Sequence, residues 1–185
     1  MEQKGGVGMN LSEKLRACGD GDFSCIFGVV KAAVEKTMGE RRGGLLLGLS
    51  ELPSYVGAYH QVGSNFIVMN KGLLMDVLKT GDRKVINAYV FHILLHEYLH
   101  TLGHLDEKQT YMLSEAISEQ VLGAKHPATL IARYGINHVI PEAGKLDFHP
   151  GMESQEEEED AEEEGGSWGM DIVQDFEVDD LDYLG

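Results

Sequence analysis

The chain has 185 residues, 43% of them hydrophobic, enough for the core of one domain. Its net charge of −16 is unevenly placed: residues 1–150 carry all 15 Lys and Arg against 16 acids, net −1, while residues 151–185 carry the other 15 acids and no base. Neither part offers the basic surface that nucleic-acid binding needs, and no uninterrupted apolar run reaches the roughly eighteen residues of a membrane span. The division predicts a globular domain over 1–150 and an acidic tail over 151–185. Met1 to Asn10 lack an apolar stretch of signal-peptide length, so a soluble cytoplasmic protein is expected.

Met1 to Gly8 are Gly-rich and read as a loose end. Ser12 to Cys18 predict a short helix, and after the turn Gly19-Asp20-Gly21-Asp22 a second helix follows over Cys25 to Met38, with Ile26, Val29, Val30, Ala33 and Val34 at helical spacing. Cys18 and Cys25 do not match a paired metal-ligand spacing and are expected as reduced core thiols. Leu45 to Leu49 is a short apolar run between turn formers, a buried strand. Val56 to Val62 and Asn65 to Met69 flank Gly63-Ser64 as the two arms of a hairpin. Tyr55, Tyr59 and His60 read as half-buried strand residues, with a place beside a site as the other option. Asn70 caps a helix over Lys71 to Lys79.

Asp82 is placed to cap the next helix, whose opening, Val85 to Leu95, has no Gly or Pro and is apolar on nearly every side, as a helix inside a domain must be. It ends in His96-Glu97-Tyr98-Leu99-His100-Thr101-Leu102-Gly103. Histidines four apart on a helix project from one face, so both imidazoles can reach a single metal ion. Glu97 is rotated too far to join them, but it can reach a water in the ion's open position and take its proton. Burying two imidazoles and a carboxylate in an apolar run is costly without such a partner. The pattern resembles the HExxH signature of the zinc metallopeptidases, the zincins. That resemblance implies a Zn2+ ion, a peptide or protein substrate, and an α+β fold with a small mixed sheet against the motif helix, its edge strand aligning the substrate.

The third ligand divides the branches of that family. In metzincins the signature runs on as HxxGxxH, with Asp in the last place in some members; here His100-Thr101-Leu102-Gly103-His104-Leu105-Asp106 puts Asp106 there. A Met-turn is also expected of that branch, yet Met112 falls within a helix and Met152 at the edge of the acidic tail. In gluzincins the ligand is a Glu on the following helix in a stretch like NEAISD, and Ser114-Glu115-Ala116-Ile117-Ser118-Glu119 makes Glu115 the rival. Asp106 comes first, Glu115 second and His104 third. As plain structure, Asp106 reads as an N-cap with Gln109 three residues on, and Glu115 as a solvated helix position. His92, one turn before His96, reads as a core residue or one that orients a ligand.

A helix from Asp106 to about Leu122, another over Pro127 to Tyr134, and the breaks at Pro141 and Gly144 complete the body. Met152 to Gly166 is Glu-dominated and expected to be extended. Trp168 to Leu184 interleaves apolar residues with acids, as in a segment that docks on a protein partner, a strand folding back on the body, or a cover over the cleft. Two other functions fit parts of the chain. A metal-dependent endoribonuclease with HGxLHLxGYDH would place ligands at His96, His100 and Asp106, but expects Gly at Glu97 and His at Asp106. A non-enzymatic interaction protein would act through the acidic tail.

Overall fold

The computed structural model describes residues 9–140, 170–174 and 176, and its architecture starts from one enclosed helix, α4 (Arg83–Thr101). Every residue of α4 from Ile86 to Leu99 is buried. Each apolar side chain so removed from water contributes about 1.5–3 kcal/mol, which holds inside the domain a helix that also carries two histidines and a glutamate. Asp82 starts it by accepting from the amides of Lys84 and Val85 at 2.8 and 3.4 Å. Gly103, at φ +99°, turns the chain away at its end.

Before α4 come α1 (Leu11–Ala17), α2 (Phe23–Met38), β1 (Leu46–Ser50), β2 (Ala58–His60), β3 (Phe66–Asn70) and α3 (Lys71–Leu78). After it come α5 (Glu107–Leu122), α6 (Pro127–Tyr134), a 3-10 turn at Ile136–His138, and β4 (Asp171–Ile172). The fold is α+β, with a mixed sheet in the order β2-β3-β1-β4. β2 and β3 form the expected antiparallel hairpin, Tyr59 opposite Val68, and β3 runs parallel to β1, Leu47 opposite Ile67. Helices α2, α5 and α6 pack on α4, which also meets β2 and β3. Asn70 fixes the hairpin's approach: its Nδ2 donates to the carbonyls of Leu52, Pro53 and Val56 while its Oδ1 caps α3. No helix of the described residues is long and apolar enough to cross a membrane.

Within the acidic tail, the described stretch folds back as a strand. β4 pairs antiparallel with β1, Gly48 opposite Ile172, and Val173 N donates to Leu47 O at 2.9 Å. Gly48 leaves the room this needs, since a Cβ there would stand 2.4 Å from Met170 Sδ. Lys71 pairs with Asp171 at 2.6 Å, and Phe176 is buried with its ring stacked 4.4 Å from that of Phe27. β4 lies at the edge opposite β2, so this stretch does not cover the cleft described below. Met1 to Gly8, the breaks at Pro141 and Gly144, and the Glu run fall outside the described residues.

The cysteine expectation is corrected. Cys18 and Cys25 form a disulfide rather than two reduced thiols. Cys18 is the C-cap of α1 and Cys25 lies in the first turn of α2, so the turn between the helices brings their Cα atoms to 5.7 Å, inside the range a disulfide spans.

Candidate metal centre

The last two turns of α4 and the first turn of α5 meet across the bend at Leu102–Asp106. His96 Nε2 and His100 Nε2 stand 3.0 Å apart on one face of α4. His100 is held by its other nitrogen: Nδ1–H donates to the carbonyl of His104 at 2.7 Å, which leaves Nε2 with its lone pair toward the group. The Thr110 hydroxyl, 2.9 Å from the same carbonyl, keeps that turn in place.

The carboxylate that joins the imidazoles belongs to Glu107. Its two oxygens lie 3.2 Å from His96 Nε2 and His100 Nε2, and the ligand atoms of all three residues fall within 4.8 Å of one another. Asp106 and Glu115 are outside this group. The backbone of Asp106 is extended, φ −79° and ψ 114°, and its side chain turns to the open end of α5, accepting from Gln109 N at 2.8 Å. Glu115 lies further along α5 and pairs with Arg133 at 2.6 Å. His104 supplies only its carbonyl, its ring meeting Glu40 at 3.1 Å. His92 makes no hydrogen bond to a ligand; its ring nitrogens are buried without partners, and burial, then the neighbouring His96, pushes its pKa down to about 3. Met112 is an exposed residue of α5 rather than part of a loop below the histidines.

Glu97 is 5% exposed and its Oε2 has no hydrogen-bond partner. Burial, then the charge of Glu107, raises its pKa to about 8. Glu107 is held below the usual carboxylate range, chiefly by its hydrogen bond with His96. The Tyr111 ring, one turn along α5 from Glu107, lies 4.4 Å from that of His96 and backs it.

These residues form the floor of an open cleft of about 350 Å³. Its far wall comes from the hairpin: Tyr55, Val56, Ala58, Tyr59, His60 and Val62, with Leu105 at the bend. All three residues for which the sequence left a place near a site, Tyr55, Tyr59 and His60, line it. Glu107 and Tyr111 were not singled out from sequence; the available signal is an acid in the first turn of the helix after the motif, with an aromatic four residues on. Nitrogen and oxygen ligands of a tetrahedral zinc ion, at bonds of about 2.0–2.2 Å, stand roughly 3.3–3.5 Å apart, so the observed 3.0–3.2 Å spacings need to open by only a few tenths of an ångström. The orphaned oxygen of Glu97 beside them lacks the kind of polar partner that an ion's water would give. The donor set therefore fits a small divalent cation. Comparison with protein families, curated proteins and solved structures finds no match for this chain.

Proposed function

We propose that the protein is a zinc-dependent peptidase, a zincin in mechanism, with His96, His100 and Glu107 as metal ligands and Glu97 as general base. The observation that carries this reading is the buried carboxyl of Glu97, its Oε2 without a hydrogen-bond partner, in the same open cleft as three converging ligand atoms. A zinc ion held there supplies Lewis-acid polarisation and a lowered pKa for water. Glu97 takes the proton of the attacking water and returns it to the leaving amine, a task suited to a carboxyl whose pKa stands near neutrality. His104 O orients His100, and the Tyr111 ring packs against that of His96. The outer edge of β2 is unpaired among the described residues and borders the cleft, which supports alignment of an extended substrate backbone by strand addition.

The endoribonuclease alternative finds less support, because the described residues lining the cleft include no Lys or Arg to meet a phosphate backbone. The place of action proposed from the sequence was the cytoplasm; the Cys18–Cys25 bridge fits an oxidising compartment better. The deciding experiment loads the full chain with zinc and follows casein and RNA in parallel. Casein cleavage that chelator abolishes and zinc restores is expected. No cleavage by a protein carrying one equivalent of zinc would defeat the peptidase reading.

A further inference from the structure

Eleven large apolar side chains are exposed among the described residues, and four of them share one site. Tyr55 at 67% exposure, Tyr59 at 43%, Val62 at 70% and Leu105 at 56% all stand around the metal-site cleft. Single exposed apolar residues need no explanation, but a group rimming a concave site marks a surface that receives something apolar. Three come from the hairpin and its approach and one from the bend after α4, so unrelated parts of the chain converge on the same property.

The charges of the cleft narrow the ligand further. Its described lining holds two carboxylates, Glu97 and Glu107, and no Lys or Arg. His60, the neutral-or-cationic ring of the same wall, is tied back to the hairpin, its Nδ1 lying 2.9 Å from the carbonyl oxygen of Phe66. A divalent ion held by His96, His100 and Glu107 would be offset by that carboxylate and by Glu97, and no Lys or Arg of the described lining is left to meet an acidic side chain. Alongside, the outer edge of β2, unpaired among the described residues, can pair with an extended backbone, whose side chains then alternate between the cleft and solvent.

We propose that this cleft selects extended peptides bearing aromatic or aliphatic side chains and rejects acidic ones, with Tyr59 and Leu105 as specificity-determining residues. The inference rests on the peptidase reading for its substrate, and it deepens that reading by giving the substrate its chemistry. It carries a consequence for the chain itself: the run Glu156 to Glu164, with nothing apolar larger than Ala161, is a sequence this cleft refuses.

The test uses the zinc-loaded, full-length Glu97→Gln protein and two fluorescent peptides of roughly ten residues, one alternating Phe and Leu with Ser, the other with Glu in place of Phe and Leu. Anisotropy should show the apolar peptide bound about tenfold tighter or more. Tyr59→Ser and Leu105→Ser, both at exposed positions, should each weaken it severalfold with zinc content unchanged. Equal affinities, a preference for the Glu peptide, no binding of either, or indifference to both substitutions would each overturn the inference. Hydrolysis by the wild-type protein is read separately. If the binding preference holds and neither peptide is cut, the peptidase reading fails and the selectivity stands; if both are cut with equal kcat/KM, the reverse is true.

Discussion

Glu97→Gln should make the metal-free protein more stable. In the folded chain the Glu97 carboxyl is buried and its pKa is raised to about 8, against an ordinary value of 4.5. For an acid raised in the folded state the penalty is absent below the unfolded value and grows as pH rises between the two, because the unfolded chain releases a proton that the folded chain keeps. At pH 7 the gap is about 2.5 units, and at 1.36 kcal/mol per unit it destabilises the fold by roughly 3 kcal/mol. At pH 5 the same relation gives under about 1 kcal/mol, and above pH 8 the penalty levels off. Glutamine keeps the shape without the charge, so the gain on substitution should follow this curve. Urea unfolding of chelator-treated wild type and variant at pH 5, 6, 7 and 8 measures it. Added zinc should shrink the difference, since a cation beside Glu97 favours its ionised form. A variant no more stable than wild type at pH 7, or a difference constant across the series, would refute the view that Glu97 is a desolvated carboxyl held at a thermodynamic cost.

Three further outcomes are expected. Glu107→Ala should lose zinc by elemental analysis, as His96→Ala and His100→Ala should, whereas Asp106→Ala and Glu115→Ala keep it; Asp106→Ala should cost about 1 kcal/mol as a lost helix cap. Phe176→Ala should destabilise the protein by about 3 kcal/mol or more in denaturant unfolding, because it removes a buried ring stacked on Phe27. Reduction of the Cys18–Cys25 bridge, which spans seven residues of sequence, should cost roughly 2 kcal/mol on loop-entropy grounds, read as a lower urea midpoint with dithiothreitol.

Much of this arrangement was legible in the residues because it depends on local chemistry. Asp82 and Gly103 bound α4, Asn70 caps α3, and the apolar run from Val85 to Leu95 could be soluble only inside a domain. The same logic gave the His96–His100 face and the neighbouring Glu97. The group opposite them was not legible, because it depends on how the bend after Gly103 sets α5 against α4. One position decides between Asp106 and Glu107: the extended backbone at Asp106 commits its side chain to the helix end, and the next residue faces the imidazoles. The disulfide escaped for a similar reason. Spacing along the chain says nothing of the distance across the α1–α2 turn, and that distance is what permits the bridge.

Strand β4 and the ring of Phe176 change what the acidic stretch is. Ile140 on one side and Met170 on the other both belong to described, folded parts of the molecule, so the span of chain between them begins and ends on the domain. One cut within that span would yield two polypeptides that still migrate together until denaturant parts them.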